Sequence, residues 1–451
     1  MKIKSDTRSH ANGRAHSLAL GCVCTVLALP FTHARADTLA DLKAQLEALQ
    51  AKVAALESTR RNAGTDPSGN NYVTAGATKG SFRLPGSDTS VKLGGYVKLD
   101  AIYNSRSVGA NSAADQLLVP RAIPLDGAED YEKGQLKLHA RQTRINLGTH
   151  TPTALGDLTT FIEFDFFGSD GNEVATNSNN IRMRHAFGTL GGFTAGQTWS
   201  TFMDPASLPE TLDFGGPVGE AFVRQALLRW TGKFDGGAWH LALENPDANF
   251  IRRNADGSYG SLLADDDRLP DIVGKVELKS KLGRFAVAAM ARNLRVDAPA
   301  TAAAVEAKDS AWGGALGLYG TVPTFGKDTL LFSLIGGNAI GRYLGQAVFA
   351  DADIDAQGKL HLNRQWGSIL GYRHFWSDEL RSTIALSGAR ADHPEDAGDA
   401  TKTVASVHAN LLWSPVPAAT LGLELIRAEI EKEDGREGAL NRVQASAQYA
   451  F

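Results

Sequence analysis

The chain has 451 residues, 43% hydrophobic and 21% charged, with 47 Gly against 16 Pro and 2 Cys. That balance excludes disordered, collagen-like and disulfide-scaffold chains. The net charge of −4 argues against a nucleic-acid partner, and the one long apolar stretch, Leu18 to Phe31, is too short for a spanning helix.

Residues 1–36 read as an export signal: Lys2, Lys4, Arg8 and Arg14 precede the apolar run, and Ala34-Arg35-Ala36 forms a small-residue cleavage site before Asp37. Five of the 46 basic and one of the 50 acidic residues leave with it, so the mature chain carries 41 against 49, a net −8. Both cysteines, Cys22 and Cys24, leave as well, which removes disulfides and thiol chemistry from consideration.

Leu39, Leu42, Leu46, Leu49, Val53 and Leu56 are spaced 3, 4, 3, 4 and 3, the a/d seam of a short coiled coil over 37–58. So short a helix is marginal alone, and the seam predicts self-association; the alternative is one amphipathic helix packed on its own domain. Residues 59–89 lack an apolar period and are rich in turn formers, which predicts a linker.

From residue 90 the period changes to two. Val91, Leu93, Val97, Leu99, Ala101 and Tyr103 share a face opposite Lys92, Lys98, Asp100 and Asn104, and the final segment repeats this with Val443, Ala445, Ala447, Tyr449 and Phe451 opposite Arg442, Gln444, Ser446 and Gln448. Seven short connections fall near 150–156, 188–192, 233–237, 279–283, 322–328, 375–379 and 414–419. Eight longer polar ones fall near 105–135, 168–180, 200–221, 245–270, 294–310, 338–360, 392–401 and 432–439. Strict alternation of the two kinds predicts an all-β fold over 90–451, a sixteen-stranded antiparallel transmembrane β-barrel with an aqueous channel. The stretch Ile340 to Phe349 could itself pair as a strand.

The loop 200–221 carries Pro205, Pro209 and Pro217 with apolar Phe202, Leu208, Leu212 and Phe214. It is expected to fold inward and narrow the lumen, with Asp204, Glu210 and Asp213 setting its local charge; an Ω-loop packed on the rim is the alternative. Ile181, Met183 and Phe187 on one face turn Arg182 and Arg184 inward. Ile145 and Leu147 do the same for Arg144, whereas Leu136, Leu138 and Ala140 have the opposite parity, so a bulge near Gln142 is required, which brings Arg141 inside. Gln225 and Arg229 face inward from the sixth strand, and Glu163 and Asp165 from the third. A row of forked guanidinium donors favours anions, unless the two carboxylates simply neutralise it.

No nucleophile elbow, His-Glu-x-x-His or phosphate loop is present, so the chain does not read as an enzyme, and no cofactor or metal is called for. Asp351, Asp353 and Asp355 open like a calcium loop, but Ala356 replaces its glycine and Leu362 its closing carboxylate.

The heptad segment, Ser81-Phe82-Arg83-Leu84-Pro85-Gly86-Ser87-Asp88, Lys92-Leu93-Gly94-Gly95-Tyr96-Val97-Lys98-Leu99-Asp100, Phe161-Ile162-Glu163-Phe164-Asp165-Phe166-Phe167-Gly168, Ala195-Gly196-Gln197-Thr198-Trp199-Ser200-Thr201-Phe202-Met203-Asp204 and the terminal strand together resemble the DcaP-like porins. The resemblance implies a homotrimer in the bacterial outer membrane with its coiled coil in the periplasm, passing small anionic solutes such as dicarboxylates. It supports Arg141, Arg144, Arg182, Arg184, Arg224 and Arg229 as the basic side of the pore, although Arg224 has the wrong parity for its strand. The expected function is passive diffusion; the alternative is a structural scaffold tethered by the coiled coil to periplasmic partners.

Overall fold

The computed structural model describes residues 43–44, 46–54, 73–107, 116–128, 132–168, 176–264, 266–302, 304–394 and 396–451; the export signal, Leu39, Leu42 and Leu56 lie outside them. Residues 46–54 are helical and leave Leu46, Leu49 and Val53 exposed along one side, as the heptad spacing requires of an uncovered seam.

The described residues of the second unit build sixteen barrel strands: β1 Ser90–Ser107, β2 in two segments Glu132–His139 and Arg144–Thr153, β3 Gly156–Asp165, β4 Arg182–Leu190, β5 Phe193–Trp199, β6 Arg224–Phe234, β7 Gly237–Glu244 and β8 Asp271–Ser280. They continue with β9 Gly283–Ala298, β10 Ala307–Pro323, β11 Thr329–Asn338, β12 Arg364–Phe375, β13 Leu380–Asp392, β14 Thr401–Val416, β15 Ala419–Lys432 and β16 Glu437–Ala450. Each is antiparallel to the next, and β16 pairs back onto β1 from Arg442↔Asn104 to Ala450↔Tyr96. Closure leaves no unpaired sheet edge, the condition for strands to cross lipid. Ahead of the barrel, Thr74–Ala75 pairs with Phe82–Arg83, which pairs with the start of β1, so part of the expected linker stretch is stitched to the sheet.

All seven short connections are hairpins, five of them with two-residue turns, as at Asp235-Gly236, where Gly236 takes φ 79° and relieves the strain a side chain would suffer there. Along β1 and β15 the outward side chains Leu93, Val97, Leu99, Leu421, Leu423 and Leu425 are exposed, which is stable only against lipid. Exposed Trp230, Trp239 and Trp413 lie toward the short turns, and Trp312 and Trp366 toward the long loops, matching the two aromatic girdles of an outer-membrane barrel.

Two irregularities aim side chains. β1 pairs first with Arg144–Thr153 and then with Glu132–His139, and the break at 140–143 lets exposed Leu136, Leu138, Ile145 and Leu147 all face out despite opposite parity. In the β3–β4 ladder Glu163 opposes His185 while Phe164 opposes Met183, so Arg184 is an extra residue and both it and His185 point inward, each buried. This corrects the expectation for Phe187: the bulge inverts parity, and its ring lies inside against Phe161, 5.9 Å away, and His185. Ile340 to Phe349 adds no barrel strand; it turns inward through the 3-10 turn Gly341–Tyr343. Outside the barrel, Ala248–Arg253, Tyr259–Ala264, Ala352–Ile354 and Leu360–Leu362 form a four-stranded sheet from two long loops.

Candidate functional site

The lumen wall carries both charged and apolar side chains. Between the charged groups, strands from β7 to β16 present apolar side chains inward, among them Ala242, Val273, Ala286, Ala288, Ala315, Ile335, Ala389, Val404, Ile426 and Leu440. Against them pack Leu118 and Ile123 from the first long loop, Phe202, Met203 and Val218 from the third, and Ile340, Tyr343, Leu344 and Phe349 from the sixth, in one buried cluster. Burial of such side chains contributes ~1.5–3 kcal/mol each, so this part of the barrel interior is a filled core. The loops are also cross-tied: Phe222 N donates to Tyr343 O, Gly345 N to Glu220 O, and Gln346 Nε2 to the carbonyls of Leu118 and Gly215. The loops thereby take up much of the space that sixteen strands would otherwise leave open.

Loop 200–221 does fold inward, and its backbone is held by the wall. Leu212 N donates to Glu424 at 2.7 Å, Gly219 N to Ser387 Oγ at 2.7 Å, and Tyr319 Oη to Phe202 O at 2.6 Å. Its acidic residues do not set a free local charge, which corrects the sequence expectation. Asp204 takes both Nη atoms of Arg284 at 2.7 Å and lies 3.4 Å from Lys275. Glu210 takes Nε and Nη2 of Arg381 at 2.8 and 2.6 Å, and Asp213 takes Nη1 of Arg442 at 2.5 Å. Burial raises the Asp213 pKa, but Arg442 and the Leu118 N–H outweigh it and hold the carboxyl below its ordinary value. These carboxylates are fasteners to three separate parts of the wall.

Facing the loop is the arginine cluster. Arg182 grips Asp165 through Nε and Nη2 at 3.0 and 2.6 Å; Arg184, fully buried, reaches Glu163 at 2.7 Å and Asp165 at 3.1 Å. Arg144 lies 3.7 Å from Glu163 and 5.3 Å from the Tyr96 ring centre. Arg224 has, among the described residues, no ion-pair partner; its guanidinium sits 4.8 Å from the Trp199 ring and 5.7 Å from that of Phe222. Four guanidiniums thus face two carboxylates, and the buried Arg144 Nε and Arg224 Nη1 have no hydrogen-bond partner among the described residues.

A family model, DcaP outer membrane protein, matches residues 32–451. The chain belongs to the DcaP outer membrane protein family. Its structure is similar to the outer membrane channel DcaP of Acinetobacter baumannii, with 20% identity, 84% of this chain and 100% of that one covered, and a TM-score of 0.68. It is also similar to OmpT of Vibrio cholerae, at 9% identity, 82% and 99% coverage and TM-score 0.51, and to Salmonella typhi OmpF in complex with daunomycin, at 9%, 80% and 98%, and 0.50. No curated protein sequence matches. Family and fold make this an outer-membrane channel of the porin architecture.

Within this DcaP-family barrel, Arg144, Arg182, Arg184, Glu163 and Asp165 are brought together as expected. Arg224 joins them despite its parity, since it opposes Trp199 at the end of the β5–β6 ladder, where its guanidinium lies over that ring. Arg229 stands apart, opposite Thr194 and Ala242. Arg141 is inside but sealed, 1% exposed, with Nε on Phe166 O and Nη1 on Gln116, so it braces the wall instead of lining the passage. The acidic run that lacks a calcium loop's glycine and closing carboxylate is not an exposed acidic loop either: Asp351 and Asp353 are buried, Asp351 pairing with Arg292 and Asp353 with His393, while Asp355 pairs with His361. Sequence reasoning missed the aromatic partners Phe214, Trp199 and Phe222 and the inward sixth loop, which has no alternation or motif to announce it.

Proposed function

We propose that this DcaP-family channel passes small solutes by passive diffusion and favours anions, carboxylates and dicarboxylates in particular, over cations. The observation that carries the reading is the surplus of arginine over carboxylate on the lumen wall, where Arg144, Arg182, Arg184 and Arg224 face Glu163 and Asp165 and Arg224 has no ion-pair partner among the described residues. Ion pairing neutralises only part of the row. The reading is supported further by the inward loop, which presses the passage against that row and sets the size cutoff. In planar bilayers the reversal potential in a salt gradient should show anion preference, and Arg224→Gln or Arg182→Ala with Arg184→Ala should weaken it; cation preference in the intact protein overturns the reading.

Export through a cleaved signal at 1–36, assembly as a homotrimer and a periplasmic coiled coil over 37–58 complete the proposal, supported by the exposed Leu46, Leu49 and Val53 seam. The crowding of the lumen by three loops favours a second reading, a structural scaffold whose pore is closed. Single-channel recording separates the two: an ohmic current supports the channel, and a silent, correctly folded oligomer supports the scaffold.

A further inference from the structure

The loop residue nearest the arginine cluster is not one of the charged ones. Phe214 lies with its ring centre 5.1 Å from the guanidinium of Arg184, 5.3 Å from that of Arg182 and 5.7 Å from that of Arg144. It also stacks on Phe167 at 5.1 Å with the planes 13° apart. The ring therefore occupies the space from which an anion would approach three arginines at once, and it satisfies them only through its face, individually weak contacts compared with a charge-assisted hydrogen bond.

The main chain on either side is fixed. Asp213 accepts from Leu118 N at 2.9 Å, Gly215 N at 2.7 Å and Arg442, and a Cβ on Gly215 would stand 2.2 Å from Leu118 O. Phe214 itself is half-buried. A pinned backbone with a partly exposed ring allows side-chain rotation without loop displacement, a motion of the fast rotamer class.

We propose that Phe214 is an aromatic gate and specificity determinant over the arginine cluster: its ring yields its place to an entering carboxylate, which gains the guanidinium donors the ring cannot use. Weakly coordinating, hydrated ions such as chloride gain less from that exchange and are held back by the ring. The inference rests on the anion-channel reading above and specifies how the same site is guarded.

The test is single-channel recording of the full-length protein in planar bilayers, with chloride as the carried ion and succinate as the blocking probe. Phe214→Ala should raise chloride conductance and lower the half-blocking succinate concentration, each about two- to fivefold, the size expected for releasing a cation–π contact. Phe214→Leu, which keeps bulk but has no π face, should hold conductance near that of the intact protein while still tightening the succinate block. Should the alanine variant lose the heat-modifiable mobility of a folded barrel, the leucine variant decides alone. Variants that match the intact channel in both conductance and block overturn the gate. An intact channel that prefers cations defeats the parent reading instead, so the two failures are distinguishable.

Discussion

Asp165 shows how one side chain in the passage wall can matter more to folding than to transport. It is fully buried, takes Arg182 with two hydrogen bonds and Arg184 with a third. Asp165→Ala leaves Arg184 buried with one carboxylate fewer, and losing one partner of a buried pair costs ~3–5 kcal/mol. A lower unfolding temperature in detergent, followed by tryptophan fluorescence, is the expected outcome. Arg224 is the converse case: it touches aromatic rings and no acid among the described residues, so Arg224→Gln should shift the reversal potential toward cations and leave the melt within ~1 kcal/mol of the intact protein. A large loss of stability with unchanged selectivity would place Arg224 in the structural class with Asp165.

At the scale of the element, the inward loop is fastened by ion pairs at Asp204, Glu210 and Asp213 and carries one carboxyl that has no such partner. Glu220 is 2% exposed, its Oε1 has no hydrogen-bond partner among the described residues, and Gly345 N holds its carbonyl to the sixth loop. Burial, then the nearby Asp213 charge, pushes the Glu220 pKa well above the ordinary carboxylate value. The folded state therefore keeps a proton there that the unfolded chain releases near pH 4.5, and the stabilisation is complete below that pH and is lost as pH rises toward the folded-state pKa. The slope is ~1.4 kcal/mol per pH unit within the window. Melting temperature measured from pH 4.5 to 8 should fall in the intact protein, and Glu220→Gln should flatten that part of the profile; an identical slope in both would show that another group carries it. The sixth loop belongs to the same device, because Tyr343 donates to Asp271 at 2.8 Å and accepts from Gln225 at 2.9 Å, tying loop to wall.

For the whole molecule, the barrel interior combines an apolar cluster packed by three loops, as a soluble core would be, with charged side chains that are mostly spent on ion pairs to those loops, as at Arg284, Arg381 and Arg442. The cluster of Arg144, Arg182, Arg184 and Arg224 is where cationic groups outnumber the carboxylates beside them, and an ion passing through the apolar cluster would lose its water without replacement. The helix at 46–54 carries Leu46, Leu49 and Val53 exposed along one side. In the proposed homotrimer, replacing Leu46 and Leu49 together by Glu should give smaller species on unheated gels or a lower dissociation temperature, while each barrel keeps its heat-modifiable fold. Unchanged oligomer stability would assign the seam to another task.

The sequence by itself determined the barrel. Period-two alternation such as Leu421, Leu423 and Leu425, and the strict exchange of short turns with long loops, are local signals that lipid on one face and water on the other impose on every strand. The inward parity of Arg144, Arg182, Glu163 and Asp165 was legible for the same reason, and so was the break near Gln142, because Leu138 and Ile145 cannot both face lipid without it. What only the tertiary structure decided lies where strands of distant number meet or a residue is added. The extra Arg184 that inverts Phe187, the binding of Asp213 by Arg442 across 229 positions, and the placement of Phe214 over three arginines depend on closure of the sheet and on loops entering it. Those contacts carry no periodicity along the chain: they join side chains that become neighbours only when the barrel has closed and excluded water from part of its interior.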